Sequence, residues 1–286
     1  MILITGATGK LGSQVIQHLL KTIPANNIVA FVRDAAKAND LQEKGVIIRT
    51  GDYNDKSSLT QAMQGVEKVL LISGGDAENG LQQHFNVIDA AKAAGVKCIS
   101  YTSRAMNDPT TLVNQLMHRH FQTEDYIISS GLSYILFRNI LYMDVIPMYV
   151  GMDVFDKGIH LPDGGGRVSF ALRSEMGEAI ANLLAADDCD NKTYNLTGTK
   201  TYSFEDVAVS LSELSGKNVS YTPIDIPEFE IRMRSKGVPE FFIPRMSGFI
   251  TDIKAGQEST VSNDLASVLG RNPASLKEGL KILFSL

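Results

Sequence analysis

The chain has 286 residues, a formal net charge of −5 and a hydrophobic content of 44%. That is enough apolar material for a substantial core, and no basic run offers nucleic acid an electrostatic footprint. No apolar run approaches the ~18 residues of a membrane span, and two cysteines, Cys98 and Cys189, do not make a disulfide framework. A reducing cytoplasm is the plain expectation.

The first element expected is a buried strand, Ile2–Thr5, which leaves no room ahead of it for a signal peptide. It breaks into Gly6-Ala7-Thr8-Gly9-Lys10-Leu11-Gly12 and then a helix with Leu11, Val15, Leu19 and Leu20 on one face. Pro24 ends that helix. Strand, glycine turn and helix at this spacing form a dinucleotide cradle. The glycines let the backbone approach a pyrophosphate, and the helix start offers it free N–H groups.

Strands are expected at Ile28–Val32, Val46–Ile48, Val69–Ile72, Cys98–Thr102 and Tyr134–Phe137. Between them lie helices at Ala35–Lys44, from a capping box at Ser58-Leu59-Thr60-Gln61 to Gly65, at Leu81–Ala94 and at Val113–Ser130. Near-continuous apolar strands alternating with helices predict an α/β protein. The expected fold is a Rossmann-type, doubly wound parallel sheet over residues 1–150.

After residue 150 the pattern loosens into a smaller C-terminal α+β substrate lobe, 151–286, partly interleaved with the sheet and laid across its carboxyl edge. Short strands are expected at Gly158–Leu161, Arg167–Leu172, Tyr194–Leu196 and Val219–Pro223. Helices are expected at Ser174–Ala186, at Phe204–Ser215 behind Ser203, within Pro227–Phe249 and near Ser275–Phe284.

Cofactor choice is read at the end of the second strand, in Val32-Arg33-Asp34 with Lys37 one turn on. The planar fork of Arg33 suits a 2′-phosphate, so NADP(H) is favoured; Asp34 keeps NAD(H) open. Otherwise Arg33 is a solvated arginine paired with Asp34. After the third strand, Asp52 would accept from an adenine amino group and Tyr53 would pack on the ring, unless Asp52 only starts a turn. Ser73-Gly74-Gly75 would let the cofactor pass close to the fourth strand, or is a plain turn.

The glycine turn, Arg33, Gly51-Asp52-Tyr53 and Tyr101-Thr102-Ser103 resemble the atypical short-chain dehydrogenase/reductase superfamily. The nearest likeness is its NmrA-like branch and, within it, the bacterial NADPH:quinone-reducing members. The likeness continues through 66–73, 90–97, His120-Phe121-Gln122-Thr123-Glu124, Arg138-Asn139 with Tyr142, and Leu269-Gly270-Arg271. It implies a dinucleotide-binding oxidoreductase, with Ser103 in the place of the superfamily's substrate-binding serine and Thr102 beside it.

Typical superfamily members carry a Tyr-x-x-x-Lys pair on the helix after the fifth strand, where lysine lowers the tyrosine pKa. No tyrosine of this chain has a lysine four positions on. Epimerase-like or alcohol-oxidising chemistry thus lacks its usual base. Quinone reduction needs less, since the nicotinamide carries the hydride and the protein positions the rings. A non-catalytic redox sensor fits the missing pair equally well.

His118 and His120 lie about 200° apart on a helix and cannot share a metal. His120 is a candidate proton donor or else a surface histidine. Asn139 is a candidate partner for a carboxamide or quinone oxygen, and Tyr142 a candidate apolar ceiling beside Met143; their plainer roles are capping and core packing. A small apolar or aromatic substrate is the expected partner, with no nucleic acid and no membrane. Oligomerisation stays open.

Overall fold

The computed structural model describes residues 1–74, 79–186 and 188–286. Gly75, one of the glycines expected at the cofactor, lies outside the described residues.

Six strands, β1 Ile2–Ile4, β2 Ile28–Val32, β3 Ile47–Thr50, β4 Lys68–Leu71, β5 Cys98–Arg104 and β6 Ser133–Asn139, are consecutive in sequence. With β8 (Lys192–Leu196) they build a seven-stranded sheet in the order β3-β2-β1-β4-β5-β6-β8. The pairs from β3 through β6 are all parallel. The order reverses between β1 and β4, where doubly wound sheets bind ligands at their carboxyl edge.

Intervening helices are α1 Lys10–Leu19, α2 Asn39–Glu43, α3 Lys56–Ala62, α4 Gly80–Ala93 and α5 Gln115–Ser130. Alternation along β1 sends Leu3 to one face, into a cluster with Leu59, Met63, Val87, Ile88 and Ile127 of the α3–α5 layer. On the other face α1 packs against α8 (Arg173–Ala185). The approach is close: a Cβ on Gly177 of α8 would stand 2.6 Å from the Gln14 Cβ of α1.

The chain forms two compact units, and a single cut at residue 150 does not separate them. The first holds residues 1–104, 118–139 and 173–194; the second holds 105–117, 140–172 and 195–286. The interleaving arises because α8 returns to cover α1 and β8 returns to extend the sheet. The second unit contains the short helices α6 Ile146–Val150 and α7 Val154–Lys157. It also contains a two-stranded parallel sheet of β7 Ile159–Leu161 and β9 Tyr221–Pro223. Helices α9 Phe204–Ser215, α10 Ile226–Ser235, α11 Ile243–Lys254, α12 Asp264–Leu269 and α13 Leu276–Phe284 complete it. Ser203 and Ser275 each close a capping box, on α9 and α13.

Several sequence expectations are corrected. The box at Ser58 does not open a helix: Asp55 caps α3, accepting from the N–H groups of Ser57 and Ser58. Ser58 instead accepts the Asp52 N–H through its hydroxyl. A charged acceptor one turn earlier outcompetes the serine. The expected helix 35–44 splits into a 3₁₀ turn at Ala35–Ala38, capped by Asp34, and α2.

Residues 167–172 are extended but form no continuous strand. Val168 exchanges backbone bonds with Tyr202, Ser169 donates to Glu258 O, and Ala171 O accepts from Met143. Arg138 and Asn139 end β6 rather than follow it.

Cys98 and Cys189, which by number alone imply no disulfide framework, are joined in a disulfide with Cα atoms 6.0 Å apart. Their sequence separation of 91 hides the pairing. Cys98 opens β5 and Cys189 precedes β8, so the sheet brings both to its amino edge. Among the described residues no helix is long and apolar enough to cross a membrane.

Candidate functional site

At the carboxyl edge of β1, β2, β3 and β4 lies a cavity of about 980 Å³. It is lined by Gly6, Thr8, Gly9, Arg33, Lys37, Asp52, Tyr53, Ser73 and Gly74, all expected from the sequence, and by Phe31, Val32, Asp34, Gly51, Ile72 and Gln83. The volume is at the upper end for a cofactor or drug-sized ligand.

The floor is the glycine turn. Gly6 has φ +56°, and its carbonyl accepts the Gly9 N–H at 2.9 Å. A Cβ at Gly12 would stand 2.3 Å from Gly6 O and 2.9 Å from Ala7 Cα. Gly12 thus seats α1 on the turn and does not line the cavity. Lys10 and Leu11 open the same helix, also off the lining. Gly9 N-caps α1 without any side chain, so the first N–H groups of the helix are left to an anion.

At the tip of β2, Asp34 accepts from the Ala36 N–H at 3.0 Å. Its carboxylate is committed to the 3₁₀ turn, and among the described residues no ion pair joins it to Arg33. Arg33 and Lys37 are both exposed on the cavity. Asp52 accepts from the backbone and side-chain nitrogens of Asn54 at 2.8 and 2.9 Å, a turn role within the cavity wall. Tyr53 lies parallel to Phe31, with ring centroids 6.2 Å apart, and donates to Ile72 O at 3.4 Å. Burial pushes its hydroxyl pKa up, against the opposing effects of the Thr5 hydroxyl and the Arg33 charge.

The turn after β4 is held from within. The Ser73 N–H donates to Thr102 Oγ1 at 2.9 Å, and the Gly74 N–H donates to His84 Nε2 at 3.1 Å. Thr102 is therefore a buried support for the lining. Ser103, beside it on β5, is 1% exposed, and its hydroxyl has no hydrogen-bond partner among the described residues.

The Tyr101 hydroxyl and His120 Nδ1 are 3.0 Å apart. Burial, reinforced by the Arg104 and His84 charges, holds His120 down at about 3. It is a neutral imidazole at physiological pH and carries no extra proton to give. Asn139 is buried at the end of β6, in register with Arg104. Glu124 holds Arg138 through two bonds of 3.0 and 2.6 Å. Tyr142 belongs to the second unit, where it bridges to Ala171. None of His120, Asn139 and Tyr142 is among the cavity-lining residues.

His84 carries no signal of its own in the sequence, and Thr123 stands out there only within the family-like stretch His120–Glu124. A histidine on the inner face of an apolar helix gives no signal to separate it from a packed core residue.

This sheet, with a glycine turn at its switch point and a cation pair at the next strand tip, defines a Rossmann-type dinucleotide fold. The profile of the NmrA-like family matches residues 1–255, and the chain belongs to that family. It is 36% identical to quinone oxidoreductase 2 of Escherichia coli K12, covering 100% of this chain and 99% of that one. Triphenylmethane reductase of Citrobacter sp., solved in complex with NADP(H), superposes with a TM-score of 0.93 at 38% identity, covering 99% of this chain and 100% of that one. The Escherichia coli NADPH-dependent quinone oxidoreductase in complex with NADPH gives 0.93 at 36% identity, with the same coverage.

Proposed function

We propose that the cavity of the first unit holds NADP(H) and that the protein reduces quinones or similar small apolar electrophiles in the cytoplasm. The observation that carries the cofactor assignment is at the tip of β2. Asp34, the acid that would bind ribose hydroxyls, also lines the cavity but accepts the Ala36 N–H, while Arg33 and Lys37 stand beside it as exposed cations. The relatives' names support the reductase reading.

The residues fit the cofactor. Gly6, Thr8 and Gly9 would cradle the pyrophosphate at the start of α1. Arg33 and Lys37 would hold the 2′-phosphate, and the Tyr53 ring beside Asp52 offers a flat wall to the adenine. The Ser73-Gly74 turn leaves the cofactor room to pass. When bound, NADPH supplies the hydride; the chain's own part is to hold and orient the partners and to exclude water. His120, Asn139 and Ser103, all of the first unit, are proposed as substrate-side residues on the family resemblance. His120 acts there as a neutral hydrogen-bonding group, and the protons for the reduced product come from solvent.

The test is a fluorescence titration with NADPH and NADH, followed by turnover with a panel of quinones. Arg33→Ala is expected to weaken NADPH binding by about 10- to 100-fold and to leave NADH unchanged. Equal effects on both would end the phosphate assignment. NADPH binding without oxidation by any quinone would end the reductase assignment and leave a dinucleotide sensor.

A further inference from the structure

We infer that His84 is a positioning residue for the dinucleotide site, fixing the Ser73-Gly74 turn through Nε2 while Thr123 fixes its tautomer through Nδ1. The inference rests on the reading that this cavity holds NADP(H).

His84 lies on α4 and is 4% exposed. Its two ring nitrogens meet opposite demands. Nε2 is 3.1 Å from the Gly74 nitrogen, a backbone N–H that can only donate, so Nε2 must be the bare acceptor. The proton then sits on Nδ1, 2.9 Å from Thr123 Oγ1. Thr123 gives its own hydroxyl proton to Arg119 O at 2.7 Å, which leaves its oxygen free to accept from His84. Every donor in this relay has an acceptor; reversing the His84 tautomer would set two donors face to face at Gly74 and two acceptors face to face at Thr123. Burial keeps the ring neutral, with its pKa lowered to about 4, and the Arg119 charge acts in the same direction.

An ordinary buried histidine satisfies itself on whatever backbone is near. This one terminates on the N–H of a residue that lines the cavity. The Ser73–Gly74 peptide is trans, so its carbonyl points opposite to its N–H. With its N–H held by His84, the Ser73–Gly74 peptide plane is fixed where the two residues line the cavity. The relay also gives a task to part of the stretch His120–Glu124: Thr123 braces His84, as Glu124 braces Arg138.

His84→Phe keeps the ring and loses the acceptor. His84→Gln places an amide oxygen near the former Nε2 position. Thr123→Val keeps the shape and removes the hydroxyl that fixes the tautomer; Thr123→Ser restores it. We expect His84→Phe and Thr123→Val to raise the Kd for NADPH and its KM by about tenfold, with kcat changed less than about twofold. His84→Gln and Thr123→Ser should recover most of the affinity. Thr123 does not line the cavity, so its effect on binding would have to pass through His84.

Wild-type affinity in both His84→Phe and Thr123→Val overturns the proposal. Equal loss in His84→Phe and His84→Gln overturns it too, because the acceptor would then not be what matters. Should His84→Phe fail to fold, the Thr123 pair decides alone. A wild-type protein that binds no NADP(H) would sink the underlying cofactor reading instead, and that result is seen before any variant is made.

Discussion

The tips of β2 and β4 line one cavity, the second of them braced by the tip of β5, but the two are built on opposite principles. At β2, Arg33 and Lys37 are exposed cations with no ion pair to Asp34 among the described residues. At β4 and β5 buried, neutral groups pair with one another, Thr102 with Ser73, His84 with Gly74 and His120 with Tyr101, and among the described residues the Ser103 hydroxyl is left without a partner. The first arrangement recognises charge and tolerates side-chain motion. The second fixes backbone position and tolerates almost none, since a buried unpaired donor costs about 1–3 kcal/mol. A dinucleotide needs both, a charge reader at one end and a placed backbone nearer the chemistry.

The strongest way to break the comparison is to remove the frame both tips share. Gly12→Val would drive side-chain carbon into Gly6 O and Ala7. We expect more than about 4 kcal/mol of destabilisation and loss of binding at both ends. Soluble protein with wild-type urea unfolding and NADPH affinity would contradict the packing described.

Reduction of Cys98–Cys189 sharpens it from the other side. The bridge ties the amino edge of the sheet, opposite the cavity. Cys98→Ser with Cys189→Ser should lower stability by about 2–4 kcal/mol and leave NADPH affinity unchanged. A changed affinity would show that the two edges are coupled. Mass analysis of protein alkylated directly in cells shows whether the bridge persists in the proposed compartment.

Acid separates the tips by titration. His84 titrates at about 4 in the fold, against about 6.5 in an unfolded chain. The unfolded state therefore binds the extra proton first, and stability falls as pH drops from about 6.5 towards 4. The full contribution of His84 is roughly 3 kcal/mol, and His120, depressed in the same direction, adds to it. Urea midpoints at pH 7 and 4.5 should differ less in His84→Gln than in wild type; the same loss in both would refute the assignment.

The smallest effect is expected at the amino edge. The Lys97 ammonium beside Glu67 holds its carboxyl below the usual range, but both groups are largely exposed. Glu67→Gln should move Tm by no more than about 2 °C and NADPH affinity not at all. Differential scanning fluorimetry with and without NADPH checks both.

The readable part of the molecule is the part governed by local rules. Six strands, the glycine turn and the helices after Ser203 and Ser275 follow from apolar runs, glycines and caps. The exposed cation at the β2 tip was legible because Arg33 directly follows an apolar run. The buried supports were not, because a His84–Thr123 or Cys98–Cys189 pair depends on which elements become neighbours. Competition between caps hid Asp55 behind Ser58. The extended stretch 167–172 has the residue types of a strand, yet its backbone bonds go to separate partners.

One consequence follows from the pairing of α1 with α8. Helix α1 ends at Leu19, whereas the helix packed against it begins at Arg173. At ribosomal speeds that interval of roughly 150 residues lasts on the order of ten seconds. For all that time α1 lacks this part of its native cover, which leaves the emerging chain open there to holding chaperones until α8 has been made.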